Sequence, residues 1–197
     1  MGRWEPDARG RLAKAALELY AAQGFEQTTV AEIAARAGLT ERTFFRHFAD
    51  KREVLFSGSE TMLDLLVRAV ADAPASATPM EAARSGFEAA GAMIAEDRDR
   101  SRLRDAVISA NAELRERELI KLAGMATLVA GALRERGVPE PSATLAAEAG
   151  VAVFKVAFAR WIAESGDLPE MIRATAGMLA DQVAYTGEHR EAGNRVS

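Results

Sequence analysis

Apolar residues recur at three- and four-residue intervals along almost the whole chain, and no segment alternates them with polar residues in a β-branched run. The pattern predicts an all-α protein, three short helices followed by about six longer ones. Leu12, Ala15, Ala16, Leu19 and Tyr20 share one face of a first helix that Gly24 ends. Thr29-Val30-Ala31-Glu32 has the pattern of a capping box and opens a second helix, with Ile33, Ala34 and Ala37 inward and Gly38 as its stop. Thr40 caps a third. Asp50-Lys51-Arg52-Glu53 is read as another capping box, starting a long fourth helix through Val54, Leu55, Met62, Leu65, Leu66 and Ala69. Pro74 and Pro79 bracket an Ala/Ser linker, the clearest boundary along the chain. Helices are expected again from Met80, in a short stretch after the Arg-rich turn, from Asn111 to Arg136, and from Ser142 to Ser165. A last one runs from Asp167 or Leu168 to Tyr185, followed by a polar tail. Residues 1–52 are taken as one domain and 53–197 as a second, larger helical bundle.

Gly38-Leu39 joins the second and third helices, and a glycine there lets two helices cross steeply. Phe44 and Phe48 are four apart and lock one face of the third helix against the first two. The other face presents Glu41, Arg42, Thr43, Phe45, Arg46 and His47. Arginine forks suit guanine edges and phosphates, and threonine suits a phosphate or a thymine methyl. Lys51, placed in the first turn of the fourth helix, suits a phosphate as well. This is a helix-turn-helix whose second helix fits the major groove of double-stranded DNA.

Charge supports that reading only locally. The 197 residues carry a formal charge of −4, yet residues 1–52 hold nine Lys/Arg against seven Asp/Glu, leaving −6 for the rest. A polyanion is expected to meet the head, not the body. With no Cys, disulfides and thiolate metal sites are excluded. The two histidines, His47 and His189, are too far apart along the chain to form a helical metal pair, so no metal or cofactor is expected. Neither a Gly-rich phosphate loop nor a G-x-S-x-G elbow occurs, and the protein is expected not to be an enzyme. The N-terminus lacks the apolar run of a signal peptide. Leu122–Leu133, the longest nearly apolar stretch, falls short of the ~20 residues that span a bilayer. A cytoplasmic protein without a membrane partner is expected.

The stretch GFEQTTVAEIAARAGLTERTFFRHFADKREVL, Gly24 to Leu55, resembles the DNA-binding domain of the TetR family of bacterial transcriptional regulators. The resemblance rests on residues 10–56: the aromatic after Gly24, the T-x-x-E cap, I-A-x-x-A-G, the aromatic pair, His47-Phe48 and Lys51. It implies a homodimer whose heads bind half-sites of a palindromic operator and whose bodies form a ligand pocket and the dimer interface. A repressor released by a small-molecule effector is the expected function. The family's DNA-contacting positions fall here on Thr29, Arg42, Thr43, Phe45, His47 and Lys51, beside Thr40 and Arg46 of the same helix. Two positions depart from the family. Many members have Tyr at Phe45, and a phenyl ring is left with apolar contact to a sugar or a thymine methyl. Arg42 stands where a small residue is frequent, and it adds a potential base contact. The role of Glu41 stays open between opposing a phosphate and accepting from cytosine.

The last two helices carry broad apolar faces. Gly150, Val151 and Phe158 on one, with Met171, Ile172, Thr175, Met178, Leu179 and Gln182 on the other, suit either a monomer core or a four-helix interface across a two-fold axis. Met62, Phe87, Met93, Ile94, Val107, Met125, Phe154 and Trp161 suit either core packing or a pocket for a hydrophobic molecule. Asn111 is read as an N-cap, and the run RDRSRLR as a solvated turn. The rival function is a helical protein–protein interaction module whose helix-turn-helix does not bind DNA.

Overall fold

In the computed structural model, residues 7–164 and 166–193 are described, with side chains described as far as Ala184. Ser165, the expected end of a helix, the last four residues of the tail and the side chain of His189 lie outside them. Nine α-helices occur among the described residues: α1 (Ala8–Gln23), α2 (Val30–Arg36), α3 (Glu41–His47), α4 (Ser59–Ala71), α5 (Pro79–Ala95), α6 (Arg98–Ser109), α7 (Ala112–Glu135), α8 (Ser142–Ala163) and α9 (Leu168–Gly193). No strand is present among them.

The expected long fourth helix is broken. Asp50 does act as a cap, its Oδ1 accepting from the N–H groups of Arg52 (2.8 Å) and Glu53 (3.1 Å). The chain it caps makes only a single 3-10 turn, Glu53–Phe56. Gly58 then takes a left-handed φ of +83°, and α4 begins only at Ser59. The carboxylate of Glu53 pairs with Arg117 instead of closing a capping box.

Two compact units emerge, and they do not follow the expected split after residue 52. The first runs to Glu60 and takes in Asp99–Ile120; the second comprises Thr61–Arg98 and the chain from Lys121 onward. The physical reason is where apolar residues are spent. Val54, Leu55 and Phe56 join Leu12, Ile33, Phe44 and Phe48 in one core, and so do Val107, Ile108 and Leu114. The proline-bracketed segment is a loop inside the second unit, closed by a capping box in which Thr78 and Glu81 exchange bonds ahead of Pro79.

The second unit is built on α5, α8 and α9, which pack on one another. Small residues let them approach closely. A Cβ on Gly150 would lie 2.5 Å from the Phe87 ring. Phe87, Phe154, Phe158 and Trp161 form a run of rings with successive centroids 5.7, 6.0 and 5.9 Å apart. By length and mean hydropathy (1.4), α8 is apolar enough to cross a membrane, unlike Leu122–Leu133. Its Ala143, Ala147, Phe154, Ala157 and Trp161 are spent on this core.

Arginines close several helix ends. Within the second unit, Arg98 donates to the carbonyls of Trp161 (3.0 Å), Ile162 (3.4 Å) and Glu164 at the end of α8, and lies over the Trp161 ring. Arg136 donates to Ala71 (2.7 Å), Ala73 (2.7 Å) and Pro74 (2.8 Å) after α4. Within the first unit, Arg104 donates to Leu55 (2.8 Å), pairs with Glu118 (2.8 Å) and covers the Phe56 ring. The run RDRSRLR is therefore the first turns of α6, not a solvated turn.

Candidate nucleic-acid interface

The helix-turn-helix is assembled by local chemistry. Thr29 caps α2: its hydroxyl accepts from the Glu32 N–H (3.2 Å), and the Glu32 carboxylate accepts from the Thr29 N–H (2.8 Å). This exchange holds the Glu32 carboxyl below its usual range, chiefly through the Thr29 backbone bond. At the other end, Leu39 N–H donates to Ala34 (2.8 Å) and Gly38 N–H to Ala35 (3.0 Å), with Gly38 at φ +67°. That is a Schellman closure, which needs the left-handed residue the sequence supplies. Thr40 then caps α3, accepting from the Thr43 N–H at 3.2 Å.

Packing fixes which face of α3 is presented. Phe44 is fully buried, and its ring lies 5.5 Å from that of Phe48, which ends the helix in extended backbone. Outward stand Glu41, Arg42, Phe45 and Arg46. Phe45 is 56% exposed and meets Phe44 edge to face at 5.4 Å and 82°. Neither Arg42 nor Arg46 has a hydrogen bond or ion pair among the described residues. Elsewhere in this unit Arg36 is tied to Glu18, Arg52 to Asp50 and Glu113, and Arg117 to Glu53. Two free guanidinium forks on one exposed helical face can bind planar acceptors bidentately, whether guanine edges or phosphates.

Of the expected contact residues, Lys51 and Thr43 have other engagements and His47 is partly enclosed. The ammonium of Lys51 donates to the carbonyls of Phe25 (2.9 Å), Glu26 (3.2 Å) and Thr28 (3.0 Å), and lies 4.4 Å from the Phe25 ring centroid. An ammonium has three donors, so none is left for a phosphate. Lys51 stands in a turn, not in the first turn of a helix. Its own carbonyl accepts from the Tyr20 hydroxyl at 2.6 Å. Burial, with Asp50 adding to it, pushes the Tyr20 phenol far above its usual range, so it remains a donor. His47 is half-buried, and its Nε2 is enclosed without a partner. Thr43 is half-buried, its hydroxyl 3.0 Å from that of Thr40.

The candidates in the second unit are scattered. Phe87, Met125, Phe154 and Trp161 are buried core, while Met62, Met93 and Ile94 are half-buried. Val107 belongs to the core of the first unit, so it cannot line a pocket in the second. An open cleft of about 510 Å³ at the α8–α9 turn is lined by Arg160, Gly166, Asp167, Glu170, Met171, Arg173 and Ala174, none of them expected pocket residues. Of the residues read as interface, Gly150, Val151, Ile172 and Thr175 turn into the core. Phe158, Met171 and Leu179 are half-buried against it, and Met178 and Gln182 face outward. The periodic pattern missed Leu145 and Val156 on α8, which are more than half exposed, as is Val183 on the apolar face read for α9. Their spacing relative to Phe154 and Trp161 carried the signal, since α8 is apolar on more than one face.

Residues 12–57 match the model of the family described as bacterial regulatory proteins, tetR family. The HTH-type transcriptional regulator TcmR of Streptomyces glaucescens is 41% identical over 81 residues, 41% of this chain and 36% of TcmR. The MftR protein of Mycobacterium tuberculosis is 28% identical over 130 residues, 66% of each chain. The chain thus spans about a third of TcmR and about two thirds of MftR. Among solved structures, Thermus thermophilus FadR, a TetR-family transcriptional repressor in complex with lauroyl-CoA, superposes with a TM-score of 0.57 at 26% identity. That superposition covers 87% of this chain and 93% of FadR.

Proposed function

Because this chain belongs to the TetR family of bacterial regulatory proteins, we propose that it is a sequence-specific, DNA-binding transcriptional repressor acting in the cytoplasm. The observation that carries the reading is the outward face of α3, with Arg42 and Arg46 unpaired on a helix oriented by Phe44. The seven residues of α3 span about 10 Å, and the major groove is about 12 Å wide. Arg42 and Arg46 contact bases or phosphates, Thr29 and Thr40 keep exposed caps beside the backbone, and Thr43 and His47 support the helix from its flank.

The operator is a palindrome read by a homodimer. The dimer face consists of the outward apolar stripe of α8, Leu145, Ala152, Val156 and Ala159, together with Met178 and Val183 of α9. The effector is a hydrophobic small molecule held near the Phe87–Trp161 run of rings. Support comes from the apolar, aromatic content of that core and from FadR, which holds an acyl-CoA. Binding shifts the population between two separations of the reading helices, only one of which matches a spacing of about 34–36 Å per helical turn.

The test is a titration of the purified protein against duplex from its own upstream intergenic region at two salt concentrations. Affinity that falls with salt and exceeds that for scrambled duplex is expected. Binding with neither salt slope nor sequence preference would leave a protein–protein module as the better account.

A further inference from the structure

Within the first unit, Asn111 carries two bonds of different reach. Its Oδ1 accepts from the Leu114 N–H at 3.2 Å and so caps α7. Its Nδ2 donates to the Glu26 carboxylate at 3.0 Å, 85 residues away along the chain. Glu26 stands in the turn before α2, and its carbonyl is one of the three that hold Lys51, which follows α3. Two more residues from the start of α7 reach the chain after α3. Glu113 meets Arg52 at 3.4 Å, and Arg117 pairs with Glu53. Both ends of the segment that carries α2 and α3 are therefore tied to one stretch of one helix, about 9 Å long from Asn111 to Arg117. The same stretch sends Leu114, fully buried, into the core that holds Phe44 and Phe48. All three polar ties lie at or near solvent, so each adds little to stability. What they fix is orientation. A binding constellation works when it is held within about 0.5 Å of its productive geometry. A small swing of α3 would misplace the Arg42 and Arg46 forks together.

Resting on the DNA-binding reading above, we propose that Asn111, with Glu113 and Arg117, is a positioning residue for operator recognition: the start of α7 braces the helix-turn-helix at both ends without itself contacting DNA. The cap and the brace use different atoms of Asn111, the Oδ1 and the Nδ2, so they can be separated by substitution.

The experiment uses the full chain, a duplex operator recovered by that protein from a random-sequence pool, and a scrambled duplex of equal length. Asn111→Asp keeps an acceptor for the Leu114 N–H but sets a carboxylate against that of Glu26, which opens the brace at one end. Its ratio of operator to scrambled affinity is expected to fall about fivefold. The slope of affinity against salt should stay unchanged, since no phosphate contact is lost. Adding Glu26→Gln to Asn111→Asp restores the wild-type net charge and lets the new amide donate to the new carboxylate, so the ratio should return to the wild-type value. Glu53→Gln opens the other end and removes a negative charge. As part of a brace it lowers the ratio too; acting through charge alone it would strengthen binding to both duplexes alike, which overturns the inference. Variants with the wild-type ratio also overturn it, as does a double variant that stays at the level of Asn111→Asp. So does a loss of both affinities in step with a lowered Tm, which would leave Asn111 a structural cap. A pool that yields no bound duplex overturns the DNA-binding reading and this one together.

Discussion

Three carbonyls, of Phe25, Glu26 and Thr28, take the three donors of Lys51, and the Phe25 ring covers the charge. Read along the chain, a lysine just after the reading helix suits a phosphate. Folding brings the turn after α1 beside it instead, and that placement depends on contacts some 25 residues distant in sequence. Lys51→Met is therefore expected to destabilise the head by about 1–3 kcal/mol, the cost of stranding charge-bonded carbonyls. The slope of affinity against salt should stay unchanged. Chemical denaturation and a salt titration check the two halves, and a flattened slope with unaltered stability would return Lys51 to the phosphate role. Phe44 and Phe48 were legible from their spacing alone, because a helix has one inner face and both fall on it. His47 and Thr43 were not, since the flanks of a helix seven residues long are decided by what packs beside them.

The element ends divide in the same way. Caps made within four residues, Thr29 with Glu32 and Asn111 with the Leu114 N–H at 3.2 Å, were readable because donor and acceptor are neighbours in sequence. Closures made from afar were not: Arg98 at the end of α8 is 63 residues from Trp161. The Thr29–Glu32 exchange also carries a pH dependence. The Glu32 carboxyl is depressed in the folded state, so its contribution is present above the unfolded value and is lost as pH falls through the folded one. Glu81, held low by the Thr78 backbone bond, behaves alike. Denaturation of wild type and Glu32→Gln at neutral and acid pH should show a stability gap that narrows on acidification. A gap constant with pH would mean that the carboxylate charge adds nothing to the cap.

Across the whole molecule, α8 is the element that asks most of a partner. It is apolar inward through Phe154 and Trp161 and apolar outward through Leu145 and Val156. Outward apolar residues at this spacing suit a second copy of the same helix pair. Val156→Arg is expected to convert the dimer to monomer in sedimentation and to lower operator affinity. The circular-dichroism spectrum should stay helical, because Val156 is half exposed and is not one of the buried core residues. A variant that still sediments as a dimer would move the interface elsewhere.

Helix class, the turn between α2 and α3 and the inner face of the reading helix were set by the sequence itself. Each depends on residues within one or two turns of each other, where spacing is geometry. The division into units was not readable, because Val54–Phe56 and Val107–Leu114 are apolar in a way that fits any core. Only the tertiary structure decided that they share the head's. The same holds for which faces of α8 and α9 turn inward and for where Lys51 sends its charge. Burial and hydrogen bonding between segments far apart in sequence are settled by the packed chain as a whole, and a periodic pattern records that a face is apolar without recording what it meets.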